Sequence, residues 1–374
     1  MTTVDFRAPY PYVDCSDAEL LSDAEQIWKR LLDDIAGCRK QLMVENFIFS
    51  PGLAGDAITD AMVRASNNGA KVRLMVDAYG SSAFDDNMRS RLKDADIDLK
   101  TYNPSGLRDL FGRGSRALPR THRRLILCDQ DSGWVGGMAF DDQWWPQSPR
   151  PTARDTMLRF TGGALAHLED CFNRLWNGVG GGPKLRYVTE PRDEQLRLIP
   201  QYAFRRPNYR RSFHWHLHAS RRRVWIAVPY FIPGPRLMAD LRIVAQRGID
   251  LRLLFPGPLN DHPTVRLAAR RYYGRLLRAG ARVYEYQPSF MHAKISLFDD
   301  DYLMVGSANL DRWSMFINNE LVAACRSKRL ALEAETQMKK DFEQSEEIRL
   351  LDWDKRPLRQ RILERAFGLF DRAF

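Results

Sequence analysis

The 374-residue chain contains no run of about 18 apolar residues, so no segment of it reads as a bilayer-crossing helix. It begins MTTVDFRAPYPYVDCSD, without the basic-then-apolar order of a secretory leader, and export is not expected. Cysteine is scarce: Cys15, Cys38, Cys128, Cys171 and Cys325 lie far apart, with no CxxC or CxH spacing. An odd, scattered set argues for a reducing compartment and against both a disulfide frame and a zinc site. Acidic residues fall short of basic ones, 47 against 57, which leaves a net charge of +10. That surplus favours a polyanionic partner, whether nucleic acid, an anionic membrane surface or a phosphorylated substrate. At 44% hydrophobic and 28% charged residues the composition is that of a folded protein, and the length suits two domains or one large pseudo-symmetric unit.

The chain repeats itself. QLMVENFIFSPG from Gln41 matches VWIAVPYFIPGP from Val224, each an apolar run ending in a Pro/Gly turn and followed by a helical stretch. KVRLMVDAYG from Lys71 then matches DLRLLFPG from Asp250, and DIDLKTYNP from Asp96 matches ARVYEYQP from Ala281. THRRLILCD from Thr121 matches MHAKISLFD from Met291, and WVGGMA from Trp134 matches MVGSAN from Met304. Recurrence in one order implies a duplicated α/β fold with strands buried between helices. The expected divisions are an extension over 1–17, a first half over 18–185, a linker over 186–199, a second half over 200–345 and an amphipathic tail over 346–374.

The chemistry repeats with the fold. His122, Arg124 and Asp129 stand at H-x-R-x4-D before Gly136 and Gly137. His292, Lys294 and Asp299 stand at H-x-K-x4-D before Gly306, Ser307 and Asn309, each 170 residues on from its counterpart. Residues i and i+2 of a strand share a face, so each imidazole has one cation beside it. Imidazole titrates near neutrality and can serve as nucleophile or acid, while the cation stabilises charge on a phosphoryl group. One such motif means little. Two in register point to one phosphate held between two half-sites, with no metal or cofactor required.

These motifs resemble those of the phospholipase D superfamily, and the chain is most similar to bacterial cardiolipin synthases without transmembrane helices. The tract from Tyr273 to Glu320 carries the likeness most specifically, with VGSANLDRWSMFINNE at its end. The resemblance implies two pseudo-symmetric α/β/α halves, each a mixed sheet flanked by helices, with the active site at their interface. It implies that His122 forms a phosphatidyl-histidine and that His292 acts as acid, then base. Lys294, Asn309, Ser307 and, by position, Arg124 would bind substrate, and Asp155 and Glu320 would each orient the opposite imidazole. Asp129 and Asp299 read as structural residues of the loop after each strand. The expected substrate is phosphatidylglycerol, met at the cytoplasmic face of the inner membrane by a peripheral protein.

Two positions depart from the family's pattern: Arg124 replaces Lys, and Ala139 stands where the second half has Asn309. They leave open a weakened or redirected first half-site, a hydrolase or nuclease of the same superfamily, or a lipid-binding protein with impaired catalysis. Local similarity favours lipid over nucleic acid. Ser105 to Arg120, with four arginines among Leu107, Leu110, Phe111 and Leu118, has no counterpart in the second half and reads as a lipid-surface contact, a substrate lid or an ordinary solvated loop. The tail after Pro357 places apolar residues among arginines and reads as an amphipathic helix that either anchors on an anionic leaflet or docks on its own domain. His214, His216 and His218 form an HWHLH run that lacks a visible third metal ligand, so metal binding is not expected.

Overall fold

The computed structural model describes residues 6–104, 119–149, 152–179, 186–188, 192–205 and 207–357. Its two halves are built outward from the apolar runs Gln41–Asn46 and Arg223–Ala227, which are the central strands of two mixed sheets. Each central strand pairs in parallel with the strand that follows its helix, Lys71–Asp77 or Asp250–Pro256. On its other side each pairs antiparallel with the strand after a His motif, Leu125–Cys128 or Ile295–Phe298. The registers coincide: Val44 lies opposite Ile126, and Ile226 opposite Ser296. Strands buried on both faces need helices over them. Helix Ala24–Ala36 supplies one cover, burying Ile27, Trp28, Leu31 and Ile35 along one face, with the Asp23 side chain capping Gln26 N–H at 2.9 Å.

In chain space the first sheet runs Glu19–Leu21, Met157–Phe160, Ser132–Gly136, Leu125–Cys128, Gln41–Asn46, Lys71–Asp77, Asp98–Tyr102. The second contains the corresponding strands and is extended at both edges. Those extensions change the expected divisions. Residues 186–199, read as a linker, contain Arg186–Val188 and most of Gln195–Gln201, and the latter pairs with Glu320–Arg326 over seven residues inside the second sheet. Its basic, polar sequence hid a strand because Leu196 and Leu198 are buried while Arg197 lays its guanidinium 4.6 Å from the Tyr12 ring. The extension over 1–17 likewise joins the second sheet, through Val13–Asp14. The tail begins as structure too: Ser345–Ile348 pairs with Arg282–Tyr286, and Trp353 packs 5.3 Å from the Tyr273 ring. The arginine-rich insert over 105–118 and the amphipathic segment over 358–374 lie outside the described residues.

The HWHLH run lies on helix Asn208–Ala219. His214 and His218, one turn apart, both meet Asp240, while His216 donates to Ser212 O at 2.8 Å and stacks on Tyr302. Among the described residues no cluster of three His, Cys, Asp or Glu side chains is arranged to hold a metal ion.

Candidate active site

Each His-motif strand is pinned at its far end by its aspartate. Asp129 and Asp299 both adopt φ of 51°, a left-handed conformation that asparagine and aspartate tolerate better than most residues. The Asp129 carboxylate accepts the backbone N–H groups of Arg39, Lys40 and Gln41 at 2.8–3.0 Å. Asp299 does the same for Arg221, Arg222 and Arg223. Both carboxylates therefore clamp the start of a central strand and point away from the imidazoles.

At the near end the two halves exchange backbone. His122 N–H donates to Asn319 O at 3.0 Å, and His292 N–H donates to Arg154 O at 2.8 Å. The residue after each acceptor is a carboxylate, so the exchange delivers Glu320 to His122 and Asp155 to His292. His122 Nδ1 lies 3.1 and 3.2 Å from the Glu320 oxygens, and His292 Nδ1 lies 2.6 Å from Asp155 Oδ2. A carboxylate on Nδ1 holds the proton there and leaves the Nε2 lone pair free. On the Nε2 side stand the cations: Arg124 Nη1 at 3.2 Å from His122 and Lys294 Nζ at 2.8 Å from His292. Both side chains also donate to the carbonyl oxygen of their own histidine, at 2.8 and 2.7 Å.

The carboxylates are held differently. Asp155 accepts from Trp144 Nε1 at 2.9 Å and Thr156 N–H at 2.8 Å. Gly137 is required here, because a Cβ at that position would lie 2.3 Å from Asp155 Oδ1. Glu320 instead accepts the hydroxyls of Ser307 and of Ser314, the latter at 2.7 Å. Ser307 was expected to bind substrate. Its hydroxyl is committed to Glu320 and also accepts Leu321 N–H at 3.0 Å, so it supports the carboxylate instead. Trp144 and Ser314 were not singled out from the sequence, although they too are 170 residues apart and share the motif's register.

His122 is 7% and His292 2% exposed. Burial, followed by the charges of Arg124 and Lys294, pushes the His122 imidazole well below its ordinary value. Burial and Lys294 bring His292 down to about 3 despite Asp155. Burial also lowers both cations, Lys294 strongly. That each imidazole feels both Arg124 and Lys294 places the two half-sites in one field. Burial pushes Asp155 up, but the hydrogen bond from His292, Lys294 and Trp144 outweigh it and hold the carboxyl below its usual range. Glu320 is pushed up to about 7 by burial, against its two serine donors. Among the described residues, Arg124 Nε and Asn309 Oδ1 are buried polar atoms without a hydrogen-bond partner. Aromatic rings complete the enclosure, with Phe47 4.9 Å from His122 and Trp144 4.8 Å from His292. Two neutral imidazoles whose Nε2 atoms face two cations destabilised by burial form an arrangement suited to one phosphodiester anion.

Comparison with known proteins agrees. The family model described as cardiolipin synthase, PLD-like domain, matches residues 31–176 and 215–344. Cardiolipin synthase A of Pseudomonas entomophila is 30% identical over 338 residues, covering 89% of this chain and 70% of that protein. Cardiolipin synthase 1 of Bacillus cereus is 27% identical over 369 residues, covering 95% of this chain and 72% of that protein. Among solved structures, phosphatidylserine synthase of Haemophilus influenzae superposes with a TM-score of 0.76 at 12% identity, covering 97% of this chain and 95% of that one. That last likeness is one of fold.

Proposed function

The chain belongs to the phospholipase D-like cardiolipin synthase family and is a phosphatidyltransferase; from that premise we propose that it takes phosphatidylglycerol as donor and passes the phosphatidyl group through His122. The observation that supports this reading is the crossed pairing, in which each imidazole takes its Nδ1 carboxylate from the other half. Neither half can assemble an oriented imidazole alone, so both must serve one substrate. In the first step His122 Nε2 attacks phosphorus, the P–O bond to glycerol breaks, and His292 gives its proton to the departing oxygen. His292 can be charged for that step because the phosphodiester anion offsets Lys294 and Arg124, two of the influences that lower its affinity for a proton. Arg124 and Lys294 hold the non-bridging oxygens as charge develops on them. In the second step His292 takes the proton of an acceptor alcohol, whose oxygen attacks phosphorus and releases His122.

The same reading puts the protein on the cytoplasmic face of the cell membrane, bound peripherally, where its charge of +10 favours anionic lipid. No helix among the described residues is long and apolar enough to cross a membrane.

The roles of the two imidazoles separate with a donor carrying p-nitrophenol in place of glycerol, a leaving group that needs no proton. With this lipid, His292→Ala releases one equivalent of nitrophenol and holds a phosphatidyl adduct, seen by intact mass after alkaline quenching. His122→Ala releases none. An adduct on His122→Ala, or steady turnover by it, refutes the assignment.

A further inference from the structure

A cavity of about 1110 Å³ lies entirely in the second half, beside the catalytic pocket. Asp311 joins the two: it lines the cavity, and it feels the charges of Glu320 and Lys294. The cavity wall is apolar, with Ile232, Leu237, Met238, Leu310 and Met315, and its rim carries Phe204 and Phe316, which are 66% and 45% exposed. Around this wall stand Arg210, Arg236, Arg271, Arg275 and Arg312. Among the described residues, Arg210, Arg236, Arg275 and Arg312 form no ion pair. Asp311 does little to offset them, since burial pushes its carboxyl up to about 7. Arg210 lies 4.3 Å from the Phe316 ring and Arg275 5.1 Å from the Tyr272 ring, so the guanidinium groups rest on the wall with their donors unspent.

The first half shows what has been changed. There, in the first turn of helix Leu53–Asn67, Ala54 N–H donates to Asp142 Oδ1 at 2.9 Å. At the corresponding positions the second half has Arg236 and Arg312, and helix Pro235–Gln246 opens on the cavity with no side-chain cap. Arg312 thus stands in place of a carboxylate and Arg236 in place of an alanine at a helix N-terminus, where the backbone also favours an anion. Four guanidinium groups and a helix N-terminus thus face one cavity, an arrangement that suits an anionic ligand.

We propose that this cavity binds the acceptor, a second anionic glycerophospholipid, with its phosphate on the arginines and an acyl chain along the apolar wall. The inference rests on the transferase reading above. Joining two phosphatidyl groups through one glycerol requires a second phosphate site a glycerol's length from the reacting phosphorus, and the cavity supplies the chemistry for it. The acceptor's terminal hydroxyl loses its proton to His292 while its oxygen forms the new P–O bond and the P–N bond to His122 breaks.

The test is a competition in mixed micelles of phosphatidylglycerol and detergent containing ethanol, a small acceptor that needs no cavity. Wild type makes both cardiolipin and phosphatidylethanol. Arg236→Ala/Arg275→Ala, which alters two exposed side chains, lowers the ratio of cardiolipin to phosphatidylethanol at least tenfold while phosphatidylethanol persists. Arg236→Lys/Arg275→Lys restores part of the ratio. An unchanged ratio, with both products kept or both falling together, overturns the proposal. So does a wild type that makes phosphatidylethanol alone, which leaves the transferase reading intact. A wild type that makes neither product sinks the transferase reading and this inference with it.

Discussion

Behind His122 the first half buries an ion pair, with Arg123 Nε 3.1 Å from both oxygens of Glu45; behind His292 the corresponding residues are Ala227 and Ala293. The asymmetry continues forward. Trp144 and a glycine hold Asp155, whereas two serines hold Glu320, and an arginine replaces the lysine. Duplication preserved the geometry of two imidazoles facing one anion. It did not preserve the means, and the resulting difference in carboxylate charge separates the two histidines. Asp155 is fully ionised at neutral pH, while Glu320 is near its midpoint. An imidazole against a fixed charge is suited to carrying a proton, and one whose carboxylate is only partly ionised is less favoured as an imidazolium.

Four substitution sets bear on that comparison. The largest effect is expected from Asp155→Asn, which removes a full charge and can impose the wrong tautomer, at a cost of roughly 10⁴ in kcat. Glu320→Gln should cost about 10², because less charge is lost. Initial transfer rates at pH 7 decide it, and equal losses would dissolve the distinction. Next comes the buried pair. Glu45→Leu strands the Arg123 guanidinium and should lower unfolding free energy by about 3–5 kcal/mol, whereas Glu45→Leu with Arg123→Met should recover most of that in urea denaturation. Additive losses would mean the pair is not coupled.

The pH profile comes third. Glu320 must be ionised to hold the proton on Nδ1, so with the p-nitrophenyl donor, whose release needs no proton from His292, kcat/KM should rise about tenfold per pH unit up to about 7 and then level off. His292 and Asp155 both titrate well below that range, so the limb belongs to Glu320 and should vanish in Glu320→Gln. A limb that survives belongs to another group. Smallest is Arg124→Lys. Lys294 makes the same two contacts that Arg124 makes, to its histidine's Nε2 and carbonyl oxygen, so the rate should stay within about tenfold. Arg124→Ala should lose about 10²–10³. A larger loss in Arg124→Lys would show that the bidentate guanidinium is required.

Much of this was legible before any coordinates. The repeat implied a duplicated α/β fold, the family resemblance implied a mixed sheet in each half, and the spacing of 170 residues named both imidazoles, both cations and both strand-end aspartates. Other parts were not. Gln195–Gln201 reads as a polar linker because the partner that makes it a strand, Glu320–Arg326, is more than 100 residues away. Ser307 sits beside the motif and looked like a substrate contact, but the Glu320 carboxylate reaches its hydroxyl first. The arginine-lined cavity draws on four separate segments, which only the fold brings together.

By itself the sequence determined which groups recur in register, since residue type and periodic spacing are local properties that a duplicated chain repeats in order. Tertiary structure decided which carboxylate serves which histidine, how much charge each retains and where a second anion can sit. Those depend on burial and on distances between remote segments, which no local pattern encodes.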